Sequence, residues 1–391
     1  MKLTHADVAA RPILPPALIT VLGGGQLGAM LCEAAKRMGY HTLCVSSYGA
    51  DPARRWADHH LMADPCAPAT VARAARQSAV VTVDAESIVP IALEAATNAG
   101  CLVAPSAEVQ STVRDRRLEK QFLRDQGLAV GPFAVVESAL QMRKAAESLF
   151  AAGAKKLVAK TACGGYDGKG QRWIRSAADA TEAWEALGCT PLVVESGIEF
   201  VAEASVIVAR SVDGRMSNFP VFQNQHRCGI LFQTKMPGDF STATIAQAVD
   251  LGRRTAEALR VVGLLAVEMF VLANGDVLIN ELAARPHNSG HVTMRAASRS
   301  QFEMHIAAIC GLSLPEIHTL QPGVMTNLLG DLWACGEPDF AKVLADGRGM
   351  IHLYGKSPRA GRKMGHMIHT APTLAEAVKA AEAAHKMLQT S

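Results

Sequence analysis

The chain has 391 residues, of which 49% are hydrophobic and 19% charged, a composition typical of a globular protein with a buried core. Its formal net charge of +3 is too small to indicate nucleic acid as a partner. No apolar run reaches the roughly 18 to 20 residues of a membrane span, and residues 1–16, which include Asp7 and Arg11, lack the apolar segment of a secretory signal.

The length of the chain predicts two or three packed units. Residues 17 to about 110 alternate strand-like and Ala-rich helical runs, at 19–22, 27–38, 41–45, 69–77 and 80–83. This alternation predicts a parallel sheet wrapped by helices, in a domain spanning 1–110. Residues 111–310 mix helices with hairpin-like segments, and residues 311–391 form a smaller region that ends in a helix near 373–388.

The first motif, Gly23 to Gly28, matches G-x-G-x-x-G between a strand-like and a helix-like run. Backbone N–H groups at such a turn favour a phosphate. A dinucleotide site would need an acidic residue after the second strand, where Ser46 and Ser47 stand instead. We therefore favour a phosphate-bearing substrate over NAD, and a purely structural turn stays open.

A second glycine-rich loop follows a lysine. Residues 157–160 predict a short strand that ends at Lys160, and Gly164 to Gln171 contain four glycines within seven residues. Such a loop can move and approach phosphates closely. It lacks the Gly-Lys-Ser/Thr order of a Walker A loop, and the alternative is a plain hairpin turn beside an exposed lysine.

The next strand-like run, 192–198, leads into a turn and is followed by Glu203. A strand of this kind could offer backbone groups to an adenine ring, and a carboxylate after it could accept hydrogen bonds from ribose. The alternative is that the side chains of Glu195, within this run, and Glu203 are simply solvated.

Two carboxylates lie on opposite arms of a predicted hairpin. Asn274-Gly275 separates two apolar runs, and a two-residue loop there would pair Ala273 with Asp276. Continuing outward, Glu268 would lie opposite Glu281, with Cβ atoms about 5 Å apart. Their repulsion, roughly 3 kcal/mol at an effective dielectric of 20, requires compensation. We favour Mg²⁺, with an ion pair to lysine or arginine as the alternative.

Cationic and polar side chains follow this pair. Residues 285–291 read Arg-Pro-His-Asn-Ser-Gly-His and predict an anion pocket, because arginine offers a planar fork that fits a carboxylate or bicarbonate. Zinc at His287 and His291, or a structural hydrogen bond of one histidine, are the alternatives. Lys356, Arg362 and Lys363 lie on later Gly-containing loops, either as phosphate ligands or as solvated surface.

Together these segments resemble the 5-(carboxyamino)imidazole ribonucleotide synthetase family of the ATP-grasp superfamily. The resemblance runs from about Ile19 to Ile368, and its most specific string is Pro286 to His291, with a chance expectation on the order of 10⁻⁵. It implies a mixed α/β and α+β chain: an ATP-grasp fold with an N-terminal Rossmann-like domain similar to that of biotin carboxylase. The flap subdomain would span about 134–200.

The resemblance also implies ligands. Around ATP it implies Arg116, Lys160, Gly165, Tyr166, Asp167, Gly168, Lys169, Gly170, Glu195, Ser196, Gly197, Ile198, Glu203, His226, Asn280 and Glu281. Mg²⁺ would be held by Glu268 and Glu281. Catalytic roles would fall to Arg285, His287, Asn288, Asp167 and Lys356, and the ribonucleotide would contact Gly25, Gln26, Leu27, Tyr166, Arg285, Lys356 and Arg362.

The implied reaction is ATP- and bicarbonate-dependent carboxylation of 5-aminoimidazole ribonucleotide through carboxyphosphate, in purine biosynthesis. The resemblance further implies a homodimer. A cytoplasmic enzyme also fits the nine scattered cysteines, which form no C-x-x-C pair. The alternative within the superfamily is another ligase, such as a formate-dependent glycinamide ribonucleotide transformylase.

The sequence departs from the family pattern at several positions. Ala29 and Ala162 stand where arginine is common, Ala284 replaces a common proline, and residues 83–87 depart from Glu-x-Glu-Asn. The last of these lies near the region where the ribonucleotide is expected to bind.

Overall fold

The N-terminal strands form a five-stranded parallel sheet in the order β3-β2-β1-β4-β5. The computed structural model describes residue 8 and residues 11–165, 168–345 and 347–389. The strands are β1 (Leu18–Leu22), β2 (His41–Ser46), β3 (His59–Met62), β4 (Val80–Val83) and β5 (Leu102–Val103), and the helices that cover them are α1 (Gln26–Arg37), α2 (Pro68–Ala75) and α3 (Pro90–Asn98). The predicted Rossmann-like domain is confirmed.

Apolar β-branched residues explain why this sheet is buried between helices. The strand β4 consists of Val, Val, Thr and Val, all buried, as expected for a strand covered by helices on both faces. The strand order reverses between β1 and β4, and the carboxyl ends of parallel strands meet at one edge. The glycine turn after β1 and the acidic segment after β4 therefore lie side by side.

The central and C-terminal regions share one nine-stranded sheet, in the order β15-β14-β10-β12-β13-β16-β18-β17 with β11 beside β10. Its strands are β10 (Ala202–Arg210), β11 (Met216–Asn218), β12 (Phe222–Arg227), β13 (Ile230–Met236), β14 (Gly263–Val271), β15 (Val277–Ala283), β16 (Gly323–Leu329), β17 (Gly349–Leu353) and β18 (Lys363–Thr370). Antiparallel pairing of β13 with β16 joins the last region to the sheet.

A four-stranded antiparallel sheet, in the order β6-β9-β7-β8, forms a separate lobe with its own core. It contains β6 (Phe133–Val136), β7 (Leu157–Thr161), β8 (Gln171–Ile174), β9 (Leu192–Ser196), α6 (Ala139–Ala151) and α7 (Ala180–Ala186). Lys160 lies on β7, as predicted, and the glycine-rich loop connects β7 to β8.

The remaining helices connect these layers. They are α4 (Ala107–Arg114), α5 (Arg116–Asp125), α8 (Thr242–Leu259), α9 (Thr293–Ala296), α10 (Gln301–Ile309), α11 (Phe340–Leu344) and α12 (Leu374–Gln389). The predicted helices at 27–38, 69–77 and 373–388 match α1, α2 and α12 within two residues. None of the helices among the described residues combines the length and the hydropathy needed to cross a membrane.

Candidate active site

The hairpin between β14 and β15 has a three-residue loop. The amide of Leu272 donates to the carbonyl of Asp276 at 2.8 Å, and Gly275, with φ of +89°, donates back to Leu272 at 2.9 Å. The loop therefore comprises residues 273–275, with glycine in the left-handed conformation. The predicted two-residue loop that pairs Ala273 with Asp276 is wrong, because it shifts the register by one residue.

A β-bulge at Asn280 restores the predicted register. Met269 pairs with Ile279, whereas Glu268 pairs with Glu281, so Asn280 is the extra residue of β15. The prediction that Glu268 lies opposite Glu281 is thus confirmed, although the loop and the bulge both differ from the symmetric hairpin. Bulges re-aim side chains next to functional sites, and here the bulge brings Asn280 and Glu281 together opposite Glu268.

Two residues of α5 satisfy the backbone around this bulge. Lys120 donates to the carbonyl of Asn280 at 2.7 Å, and the amide of Leu282 donates to the Glu119 carboxyl at 2.9 Å. Both side chains are almost completely buried. Burial raises the pKa of Glu119 to about 8, even though the neighbouring Lys120 opposes this shift. Glu119 and Lys120 therefore hold the peptide units on both sides of Glu281.

Glu195 lies between two lysines. Its carboxylate is 3.0 Å from the Lys120 ammonium and 2.9 Å from that of Lys160. Burial alone would raise the pKa of Glu195, but the two lysines outweigh it and lower the pKa to about 2. Lys160 also approaches the side-chain oxygen of Asn280 at 3.4 Å. The strand lysine and the carboxylate hairpin, predicted separately, therefore form one site.

Arg116 connects this site to the glycine-rich flap. Its guanidinium donates to the carbonyls of Gly165 at 2.9 Å and Thr161 at 3.3 Å, and it lies 3.7 Å from the Glu281 carboxylate. Farther along the flap, Gly168 lies against the hairpin turn at Cys228. The flap residues Lys169 and Gly170 complete the described part of the loop, and Tyr166 and Asp167 lie outside the described residues.

The predicted adenine-side residues lie at the end of β9, in the segment after it, and on β10 and β12. The amides of Ser196 and Gly197 donate to the carbonyls of residues 132 and 156, so they are already hydrogen-bonded within the lobe. Ile198 packs against residue 131. Glu203 and His226 are 2.7 Å apart. Burial would lower the pKa of His226, but its hydrogen bond to Glu203 and the nearby Glu268 charge raise it.

The segment after β15 crosses to the N-terminal sheet. Arg285 forms a salt bridge with Glu86 at 2.5 Å and donates to the carbonyl of Pro286 at 2.8 Å. Burial would raise the pKa of Glu86, but Arg285 outweighs it and lowers the pKa. The Nε atom of Arg285 and the side-chain oxygen of Asn288 are buried without a hydrogen-bond partner among the described residues. Such groups are open to a ligand that accepts and donates hydrogen bonds.

The two histidines of this segment have different environments. His287 Nε2 is 2.8 Å from the Glu268 carboxylate, beside the carboxylate pair. His291 is fully buried and stacks on His366, with ring centroids 4.5 Å apart. The structural role considered for one histidine therefore describes His291, whereas His287 belongs to the site. Burial would raise the pKa of Glu268, but its contacts with His287, His226 and Lys363 lower it.

The first glycine turn already binds a carboxylate. The amides of Gly25 and Gly28 donate to Asp84 at 2.8 and 3.3 Å. Burial is the largest influence on this carboxyl and raises its pKa to about 6. The expectation that these amides point at a phosphate therefore needs correction, because the chain supplies its own anion. A phosphate here would depend on other donors.

Cationic loops reach the same turn from the C-terminal region. Lys356 donates to the side chain of Gln26 at 2.9 Å, and Leu27 is buried next to it in α1. Arg362 is half-buried, and its guanidinium donates to the carbonyl of Ser357 at 3.1 Å. The structure thus brings Lys356 to the predicted substrate end, whereas the hydrogen bond of the Arg362 guanidinium stays within its own loop.

Comparisons with known proteins agree with this geometry. Residues 17–113 match the ribonucleotide synthetase preATP-grasp domain, residues 121–302 the ATP-grasp domain, and residues 323–380 the phosphoribosylaminoimidazole carboxylase C-terminal domain. The chain is 38% identical over 356 residues to N5-carboxyaminoimidazole ribonucleotide synthase of Bacillus subtilis, covering 91% of this chain and 92% of that relative. The chain belongs to this family.

Solved structures of family members have the same fold. The Staphylococcus aureus N5-carboxyaminoimidazole synthetase in complex with ADP is 30% identical, with a TM-score of 0.88 and coverage of 95% and 98% of the two chains. The Aspergillus clavatus synthase in complex with ADP and 5-aminoimidazole ribonucleotide is 29% identical, with a TM-score of 0.84 and coverage of 96% and 99%. This family member is therefore an ATP-grasp ligase, and the predicted fold is confirmed.

The sequence did not predict that Glu119, Lys120 and Glu86 would contact residues of the site. Glu119 and Lys120 lie on an amphipathic helix, where charged residues are usually solvated. The signal that could have identified them is Asp115, which caps α5 and places residues 119, 120 and 123 on one buried face. Glu86 could not be linked to Arg285 from the sequence, because about 200 residues separate them.

Proposed function

We propose that this chain carboxylates the exocyclic amine of 5-aminoimidazole ribonucleotide with bicarbonate and ATP, releasing ADP and phosphate. Arg285 is the observation on which the proposal rests. It binds Glu86 at the end of the parallel sheet and lies within electrostatic reach of Glu281 in the carboxylate pair. The guanidinium therefore lies between the carboxylate pair and the carboxyl end of the parallel sheet, which supports a role in binding the small anion that reacts with both substrates.

The two carboxylates fit a Mg²⁺ ion shared with a nucleotide. Glu268 and Glu281 face each other, and Asn280 adds an amide oxygen, which are the oxygen donors that Mg²⁺ prefers. No cluster of three or more His, Cys, Asp or Glu side chains suited to a metal occurs among the described residues, so phosphate and water oxygens would have to complete the coordination. Bound there, Mg²⁺ would neutralise charge on the phosphates.

Protein groups account for the remaining chemistry. Lys120 and Lys160, ordered by Glu195, offset charge on the phosphates, and Arg116 holds the base of the flap. A bicarbonate oxygen attacks the γ-phosphorus, the bond to ADP breaks, and carboxyphosphate forms. Arg285 donates to the bicarbonate, and the unpaired side-chain oxygen of Asn288 accepts from the bicarbonate hydroxyl.

The second step transfers the carboxyl group. The exocyclic amine of the ribonucleotide bonds to the carboxyl carbon of carboxyphosphate, or to CO₂ released from it, while phosphate leaves and the amine loses a proton. Lys356, Arg362 and the side chain of Gln26 would supply the donors for the ribonucleotide beside the glycine turn, because the Gly25 amide is already bound to Asp84. The flap excludes water that would hydrolyse carboxyphosphate.

Phosphate release from ATP tests this proposal. We expect release that requires bicarbonate, that 5-aminoimidazole ribonucleotide accelerates, and that is accompanied by transfer of ¹³C from labelled bicarbonate to the ribonucleotide. Formate in place of bicarbonate distinguishes the alternative ligase, because a transformylase would release phosphate with formate and glycinamide ribonucleotide. Failure of labelled bicarbonate to enter the product would refute the carboxylase assignment.

We further propose that the protein is a cytoplasmic homodimer, as the family resemblance implies. Five of the nine free cysteines are half-buried or exposed, which fits a reducing compartment. Analytical ultracentrifugation of the full chain should give a mass of about twice 41.4 kDa. A monomer across the micromolar range would contradict the dimer without affecting the proposed reaction.

A further inference from the structure

His287 caps the short helix that follows it. This helix, a single 3₁₀ turn spanning Asn288–Val292, receives the His287 side chain at its N-terminus: the amide of Ser289 donates to Nδ1 at 3.3 Å. The Ser289 hydroxyl is 2.9 Å from the same nitrogen. A ring nitrogen that accepts a backbone N–H carries no proton. The hydroxyl of Ser289 must therefore donate to Nδ1 as well, and the proton of the neutral imidazole is on Nε2.

A series of buried hydrogen bonds enforces this direction. Ser205 donates to Ser289 at 3.0 Å, the Asn224 amide donates to Ser205 at 2.9 Å, and the Thr234 hydroxyl donates to the Asn224 oxygen at 3.0 Å. All four side chains are buried. Each group donates toward His287, and reversing one bond would leave a buried donor or acceptor unpaired, which costs about 1 to 3 kcal/mol.

The opposite edge of the ring faces the carboxylate pair. Nε2 lies 2.8 Å from the Glu268 carboxylate. Gln301 holds the His287 backbone on both sides, accepting from its amide at 2.9 Å and donating to its carbonyl at 2.7 Å. The ring can therefore neither flip nor move away without breaking several buried hydrogen bonds, and the proton on Nε2 points at Glu268.

We propose that Ser289, Ser205 and Asn224 are positioning residues that keep His287 in the Nε2–H form and thereby orient the carboxylate of Glu268. This inference rests on the proposed function, in which Glu268 binds the Mg²⁺ that accompanies ATP. In this role His287 is a hydrogen-bond donor to Glu268. It does not accept the proton that the substrate amine loses, because its only unprotonated nitrogen is turned into the protein and capped by Ser289.

Nitrogen NMR of the histidine rings measures the tautomer directly. The full chain, labelled with ¹⁵N-histidine and free of substrate, should show one His287 ring with a protonated Nε2 and an unprotonated Nδ1 at a fixed pH. The His287 signals are assigned by their loss in His287→Gln. A wild-type protein with the proton on Nδ1 would overturn the proposal, whatever reaction the enzyme catalyses.

Asn224→Asp tests the direction of the hydrogen bonds. Aspartate keeps the shape of asparagine but replaces the donating amide with an acceptor. Ser205 must then donate to residue 224, and Ser289 to Ser205, so Nδ1 loses its hydroxyl donor. We expect a larger population of protonated Nδ1 and a turnover at least about tenfold lower, with KM for ATP within about twofold of wild type.

Two further variants separate positioning from loss of structure. Ser205→Ala interrupts the series without reversing it, and should change both the turnover and the NMR signals less than Asn224→Asp does, because Ser289 can still donate to Nδ1. Ser217→Ala removes another buried hydroxyl, which donates to the Pro315 carbonyl at 2.7 Å far along the sheet. This variant should leave the turnover and the His287 NMR signals unchanged. Folded Asn224→Asp and Ser205→Ala proteins with normal turnover would refute the positioning role. A correct tautomer without bicarbonate-dependent phosphate release would refute only the proposed function.

Discussion

Glu86 and Arg285 form a salt bridge at 2.5 Å that joins the end of the parallel sheet to the loop after β15. The side chain of Glu86 is 33% exposed and that of Arg285 is 15% exposed, so the ion pair is largely shielded from water. Glu86 belongs to the segment that departs from the family pattern, yet it supplies the carboxylate that holds the arginine. The departure therefore preserves an acidic partner at this junction.

Glu86→Gln should weaken bicarbonate use. The variant keeps a hydrogen-bond acceptor but leaves the Arg285 charge uncompensated, so we expect KM for bicarbonate to rise about tenfold and the free energy of unfolding to fall by about 1 to 2 kcal/mol. Steady-state kinetics and urea unfolding measure the two effects. Glu147→Gln, in an exposed pair with Arg143, is the matched control. Unchanged kinetics would mean that Glu86 does not orient Arg285.

Glu281→Gln should lower turnover by at least about a hundredfold, as for loss of electrostatic stabilisation of a transition state. The side chain keeps its size and its place after the bulge, so the fold should be retained. Asp276→Asn is the control, because Asp276 is exposed immediately after the loop of the same hairpin. Turnover close to wild type in Glu281→Gln would contradict the metal role of the pair.

Arg285→Ala should impair bicarbonate use far more than ATP binding. The guanidinium contacts the N-terminal sheet and the anion pocket, whereas the lysines near the phosphates are held by Glu195. Arg285→Lys should recover only part of the activity, because an ammonium lacks the planar fork. Titration with ATP and kinetics with varied bicarbonate separate the two effects, and Arg254→Ala, at an exposed helix position, is the control. A large loss of ATP affinity in Arg285→Ala would contradict the assignment of Arg285 to bicarbonate binding.

Glu195 should make stability depend on acidic pH. Its pKa is lowered from 4.5 to about 2 in the folded chain, so its contribution is fully present above pH 4.5 and is lost as the pH falls toward 2. The shift corresponds to about 3 kcal/mol. Denaturant unfolding between pH 5 and pH 2 should show a steep loss in wild type and a shallower slope in Glu195→Gln. Equal slopes would show that the two lysines do not bind this carboxylate.

Local sequence patterns predicted most of the fold because they reflect short-range physics. Buried runs of Val and Ile between Ala-rich helices predicted the parallel sheet, and apolar residues before Lys160 predicted the strand that carries it. The register of Glu268 with Glu281 was also predicted, although from a two-residue loop that does not exist. The bulge at Asn280 corrected that error, and no local signal announced it.

By itself, the sequence determined which residues carry chemistry: Lys160, the glycine-rich flap, the carboxylate pair and Arg285 stand out by type and spacing. Only the tertiary structure decided what holds them. Glu119 and Lys120 support the bulge, Glu86 binds Arg285, and Asp84 occupies the amides of the glycine turn. These contacts join segments about 60 to 200 residues apart, and burial of a charge becomes favourable only when the folded chain brings its partner within hydrogen-bonding distance.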